Sequence, residues 1–252
     1  MEKIEVFTYT SSGGRENNED YCNYDVGSDH SCYVLTDGLG GHESGEIASE
    51  RAGSFLLERL RETNEMSGEI LSKILKDANQ HILDGQKDYP EMRTTAAAVY
   101  IRDGQFWEAH VGDSRIYLFK NGCLYFQSRD HSLGQLSVEM GDISSEELRF
   151  HPDRSKLLKA LGEEQRLKIL DPPESIALEP NDAFLLCSDG FWEYVWETEM
   201  EIDLIKSSSP KEWVMFMLKR LLSRAPQDRD NATVIAGIIR ETKMGGDFFA
   251  PN

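Results

Sequence analysis

The sequence predicts an α+β fold in which antiparallel sheets are covered by helices. Three observations point there. Short apolar runs of strand length recur along the chain, Asp-Gly and Asn-Gly pairs separate several of them, and three longer stretches repeat apolar residues at three-to-four spacing.

In chain order, residues 4–9 alternate between apolar and polar, and residues 32–36 form a compact apolar run closed by Asp37-Gly38. Ile47, Ala48, Ala52, Phe55, Leu56 and Leu60 then mark one face of a helix, and Ile70, Leu71, Ile74, Leu75, Ala78, Ile82 and Leu83 mark a second. These stripes are core-facing surfaces. The runs 96–101 and 106–111 flank Asp103-Gly104, and the runs 116–119 and 124–126 flank Asn121-Gly122. Both pairs suit tight antiparallel hairpins, because Asn, Asp and Gly tolerate the positive φ that such turns demand. Residues 128–162 have weak periodicity and mixed charge, so they are expected to leave the core as a flap. The run 183–187 ends in Ser188-Asp189-Gly190; Trp213, Val214, Met217, Leu218, Leu221 and Leu222 mark a third helix; and residues 234–239 form a last strand. No repeat, low-complexity tract or Pro/Gly/Ser-rich linker interrupts the 252 residues, so one domain, 1–252, is expected.

Composition excludes several functions. A formal net charge of -18 opposes binding to nucleic acid or to an anionic membrane, both of which need clustered Lys and Arg. Four cysteines without a C-x-x-C pair support neither a disulfide framework nor a zinc site. The N-terminus lacks the apolar stretch of a signal peptide, and no run approaches the roughly 18 apolar residues of a membrane span. A cytoplasmic protein is expected, monomeric in the absence of any coiled-coil pattern.

The chemistry resides in acidic residues placed just after apolar strands. Residues 33–36 lead to Asp37, residues 109–112 to Asp113, residues 184–188 to Asp189, and Asp230 precedes the last strand. Singly, an Asp at a strand end is a cap or a turn residue. Together, strand ends meet at one rim of a sandwich, where gathered carboxylates repel unless cations neutralise them. Oxygen-only donors select magnesium, manganese or calcium over zinc or copper. Glu19 offers one more ligand, and Arg15 offers a planar fork to a phosphate.

Arg15-x-x-Asn18-Glu19-Asp20 and Asp37-Gly38-Leu39-Gly40-Gly41-His42-x-x-Gly45-Glu46 resemble the opening of the metal-dependent, type 2C protein phosphatases. Later blocks follow in family order: Thr94-Thr95-Ala96, Val111-Gly112-Asp113-Ser114-Arg115, Arg129-Asp130-His131-Ser132, Ser188-Asp189-Gly190 and Asp230-Asn231-Ala232-Thr233. The match runs from about Arg15 to Ile239 and is similar to the short bacterial members.

The resemblance implies a four-layer sandwich, two packed antiparallel sheets flanked by pairs of helices. It implies hydrolysis of phosphoserine and phosphothreonine in phosphoproteins, opposite a cognate Ser/Thr kinase, with two Mn2+ or Mg2+ ions. Asp37 matches the carboxylate bridging both ions. Asp189 and Asp230 match ligands of the first ion, and Glu19 and the Gly38 carbonyl match ligands of the second. Asp113, with Asp189, matches the holder of a weaker third ion, and Arg15 matches the phosphate-binding arginine. Two ions roughly 3.5–4 Å apart lower the pKa of a shared water, which attacks phosphorus in line. Leu39 stands where some members carry a histidine proposed as general acid; His42 is the alternative candidate. Arg93 replaces a glycine common before the paired threonines and is assigned a surface role.

Cys123 and Arg129 fit the C-x5-R spacing of cysteine-dependent phosphatases. However, Leu124, Tyr125 and Phe126 favour an extended strand over a phosphate-cradling loop. Two other readings stay open here: a non-catalytic binding module of the same fold, and a phosphatase for small phosphoesters.

Overall fold

The computed structural model describes residues 3–39, 44–164 and 174–241. Its strands are β1 Lys3–Ser11, β2 Asp20–Val26, β3 His30–Leu39, β4 Arg93–Thr94, β5 Ala96–Arg102, β6 Gln105–Val111, β7 Arg115–Lys120, β8 Cys123–Gln127, β9 Ile176–Ala177, β10 Ala183–Cys187 and β11 Ala232–Arg240. Its helices are α1 Ser44–Arg61, α2 Gly68–Gly85, α3 Leu133–Met140, the short α4 Asp189–Trp192, α5 Glu197–Lys206 and α6 Pro210–Arg224.

One sheet has the order β1-β11-β10-β7-β8 and the other β2-β3-β5-β6-β9, with β4 added beside β3. All named pairs are antiparallel. The two hairpin turns follow from their residues: Asp103, Gly104, Asn121 and Gly122 all have positive φ, at 50°, 68°, 52° and 78°.

Strand periodicity explains why the central strands read as unbroken apolar runs. In β3, Cys32 and Val34 face α1 and α2, whereas Tyr33 and Leu35 face the opposing sheet. In β10, Phe184 and Leu186 enter that same inter-sheet core, while Ala183, Leu185 and Cys187 pack toward α5 and α6. Both faces of each sheet are therefore covered, and alternation is hidden. The result is the four-layer sandwich expected: α1 and α2, sheet, sheet, α5 and α6.

Three strands and three helices escape the sequence periodicities: β2, β4, β9, α3, α4 and α5. Residues 128–162 contain α3 and a single 3-10 turn at Glu147–Phe150. The segment is closed on itself by an isolated bridge Ser132–Leu157 and tied to the body by another, Thr94–Leu161.

Candidate active site

Antiparallel register creates the centre of the site. β2 pairs with β3 so that Asp20 stands opposite Asp37. Residues opposite one another in such a pair share a face, with Cβ atoms about 4.5–5.5 Å apart. Asp37 has the parity of Tyr33 and Leu35, so both carboxylates point to the rim between the sheets. Two like charges placed this way are destabilising unless protonated or neutralised.

Neighbouring loops fix Asp37 through its backbone. Its N–H donates to Thr95 Oγ1 (2.9 Å), and its carbonyl accepts from Thr94 Oγ1 and Thr95 N, both at 2.8 Å. The paired threonines thus clamp the peptide through its backbone. Gly38 is required beside it, because an added Cβ would lie 2.0 Å from the Gly45 carbonyl oxygen.

Asn231 performs the equivalent task for the arginine loop. Its Oδ1 accepts from Glu19 N (2.8 Å), and its Nδ2 donates to the carbonyls of Ser12 and Asn17, each at 3.0 Å. Asp189 opens α4, where Gly190 lies against Asn231: a Cβ there would meet the Asn231 carbonyl at 2.1 Å. Trp192, at the end of α4, donates its indole N–H to the Asp113 carbonyl (2.9 Å). His131 holds the preceding peptide from both sides. Its backbone N–H donates to Gly112 O (2.8 Å), and its Nδ1 accepts from Gly112 N (3.2 Å).

These elements bring Arg15, Glu19, Asp37, Gly38, Asp113, Asp189 and Asp230 to one cleft of about 680 Å³. Six of the expected site positions are acidic or backbone donors, and one is the arginine. His42 lies outside the described residues. Arg154, Glu193 and Arg229 also line the cleft. None of these three was singled out from sequence, since an isolated Arg or Glu in a loop carries no pattern.

The electrostatics are those of a cation site. Burial, then the neighbouring Asp20, Asp189, Asp113 and Asp230, hold Asp37 well above the usual carboxylate range. Asp189 is raised well above it too, by burial and then Asp113 and Glu193. Asp113 is pushed to about 7, chiefly by burial and then by Asp130. Glu19 is raised by burial and Asp230. Among the described residues, no Lys, Arg or His forms an ion pair with Asp37, Asp113 or Asp189.

Asp20 is the residue that sequence reasoning quoted without giving it a role. Its Oδ2 accepts from Ser188 Oγ (2.8 Å), its Oδ1 is buried with no hydrogen-bond partner, and burial pushes its pKa to about 6. A buried oxygen of this kind calls for a donor or a cation. The all-oxygen donor set therefore fits hard divalent ions. As they stand, though, no three acidic, His or Cys side chains among the described residues converge on a single point that could hold an ion. Asp230 accounts for part of this. Its Oδ2 accepts from Arg15 Nη2 at 3.0 Å and its Oδ1 from the Asn231 N–H at 2.9 Å. Arg15 and Asp230 are 58% and 49% exposed, so their pair is worth only about 0–1 kcal/mol and is readily exchanged.

The cysteine-phosphatase alternative fails on geometry. Cys123 opens the extended strand β8, which runs through Gln127 where a phosphate-cradling loop would be needed. Arg93 is half-exposed and reaches Glu163 at 3.9 Å, the surface role expected of it.

The model of the protein phosphatase 2C family matches residues 12–231. The chain belongs to this family. A serine/threonine phosphatase of Listeria welshimeri is 37% identical over 182 residues, 69% of this chain and 71% of that protein. The serine/threonine phosphatase Stp1 of Staphylococcus aureus superposes with a TM-score of 0.82 at 28% identity, covering 96% of each chain. The catalytic domain of the phosphatase PstP, solved with two manganese ions, gives a TM-score of 0.77 at 25% identity over 94% of this chain and 99% of that one. This family member is accordingly a metal-dependent serine/threonine protein phosphatase.

Proposed function

We propose that hydrolysis takes place in the acidic cleft, where Asp37, Asp189 and Asp230 would hold one divalent cation and Asp37, Glu19 and the Gly38 carbonyl a second. Asp113 and Asp189 would hold a third, weaker ion. The observation that carries this reading is the set of carboxylates Asp37, Asp113 and Asp189, which line one cleft and form no ion pair with a basic side chain among the described residues, with buried Asp20 standing opposite Asp37. Manganese or magnesium is the expected metal, by donor chemistry and by the two manganese ions of PstP.

Cations held there would supply an acidified water and offset charge on the phosphoryl oxygens. The chain's own residues do the rest. Arg15, released from Asp230, presents its guanidinium fork to two non-bridging phosphate oxygens and orients the ester for in-line displacement. The clamped Asp37 backbone keeps the reacting centre fixed. His42 remains the side-chain candidate for protonating the leaving alkoxide, on sequence grounds alone.

Substrates are phosphoserine and phosphothreonine proteins, and a Ser/Thr kinase is the opposing partner. Residues 128–162 act as a flap beside the cleft within one catalytic unit, and the enzyme works as a cytoplasmic monomer. The test is hydrolysis of phosphothreonine, phosphoserine and phosphotyrosine peptides and of a small phosphoester, with manganese and with chelator. Activity on the first two that vanishes with chelator and survives thiol alkylation is expected. Loss on alkylation alone, or preference for the small ester, would overturn the reading.

A further inference from the structure

Behind α4 lies a second cavity of about 680 Å³, lined among others by Arg115, Arg129, Arg149, Phe150, Trp196 and Glu197. Its size is that of a small-molecule site. It shares no lining residue with the acidic cleft, and hydrolysis uses none of its side chains.

In a chain of net charge -18, three arginines meet here. Arg115 is satisfied: Asp130 receives it bidentately at 2.8 and 2.7 Å, and it stacks 3.5 Å from the centre of the Trp192 ring. Arg149 is not. Its side chain is only 6% exposed, and Nη2 donates to Glu197, yet Nη1 is buried without a hydrogen-bond partner. An unmade bond on a buried charged donor costs at least about 1–3 kcal/mol, so such a group is normally matched by an acceptor. Arg129 is exposed and forms no ion pair among the described residues. Apolar surface flanks both cations, since Trp196 and Phe150 are 41% and 74% exposed.

We propose that this cavity binds a small organic monoanion with a flat apolar body, of the aromatic carboxylate class. The partly satisfied Arg149 and the unpaired Arg129 supply donors for a carboxylate, and Phe150 and Trp196, which is 41% exposed although Arg224 stacks 4.1 Å over its ring, supply apolar surface for a ring. Glu146 and Glu197 also line the cavity and disfavour a dianion, which selects against phosphate.

The probe is 1-naphthoate, titrated calorimetrically into the full chain, with 1-naphthalenemethanol and inorganic phosphate as comparators. Saturable one-to-one binding of naphthoate is expected, about tenfold tighter than the alcohol, with no phosphate binding retained when Asp37→Asn disables the acidic cleft. Arg149→Met and Arg129→Gln should each weaken naphthoate about tenfold, and Asp37→Asn should leave it unchanged. Arg129 is exposed, so its variant stays informative even where Arg149→Met fails to fold. No binding at millimolar naphthoate, equal binding of the alcohol, unaltered binding by Arg129→Gln, or loss in Asp37→Asn would each overturn the assignment.

Discussion

At the scale of single residues, the site is organised by a conflict. Asp20 and Asp37 face one another across two strands, and one Asp20 oxygen has no partner. Asp20→Asn removes a buried charge while keeping an acceptor for Ser188. In chelator the variant should gain about 1 kcal/mol of stability, measured by urea unfolding, while its turnover falls at least tenfold in steady-state assays. Asp37→Asn should cost about a thousandfold in kcat with the fold retained, on the scale of losing a central electrostatic group. Arg15→Ala should raise KM for a phosphothreonine peptide about tenfold with a smaller effect on kcat, the worth of one charge-assisted bond.

At the scale of elements, backbone clamps matter as much as ligands. Thr95 Oγ1 serves both Asp37 N and Ser114 Oγ, the latter at 2.7 Å, so it couples the end of β3 to the start of β7. Thr95→Val should destabilise the protein by about 1–3 kcal/mol by orphaning the Asp37 N–H, and should raise the manganese concentration needed for half-maximal activity. What was legible in sequence follows the same division. β3, β10 and β11 announced themselves because burial on both faces makes them continuous apolar runs. Asp37, Asp113 and Asp189 were legible because each ends such a run. β2 was not, since Asp20, Asn23, Tyr24 and Asp25 leave no clear alternation on a half-exposed strand. Without β2 there is no register, and without register the Asp20–Asp37 opposition stays invisible. α5 was hidden for another reason. Its buried face includes Glu199 and Asp203, which reads as polar until Arg220 and Arg224 arrive from α6 to pair with them. Arg154 and Glu193 belong to the cleft only through the folding of residues 128–162 over α4, where they pair with each other.

At the scale of the whole molecule, these local charges set how stability responds to pH. Asp113 is raised to about 7, and Asp37 and Asp189 are raised well above their ordinary range, so the folded chain holds protons that the unfolded chain has released. His110 is also raised: burial lowers it, but Glu108, the Arg129 carbonyl and Asp130 together outweigh that effect. Stability carried by raised groups is present at low pH and lost as pH climbs through the folded values. His131 has the opposite sign. Burial pushes it down to about 3, so the stability tied to its neutral form is lost only as pH falls below its ordinary value of 6.5. Between about pH 6.5 and 8 the raised groups dominate. In chelator the Tm should therefore fall across that window, and manganese should raise it most at the upper end, because the ligands must be deprotonated. A chelated Tm that rises with pH would contradict this balance. None of the described helices is long and apolar enough to cross a membrane.

Manganese anomalous scattering from crystals of the chain tests the central claim most directly. Two strong peaks are expected in the acidic cleft, both within about 2.0–2.6 Å of an Asp37 oxygen, and both should disappear in Asp37→Asn crystals. Peaks that lie away from Asp37, or that persist unchanged in the variant, would contradict it.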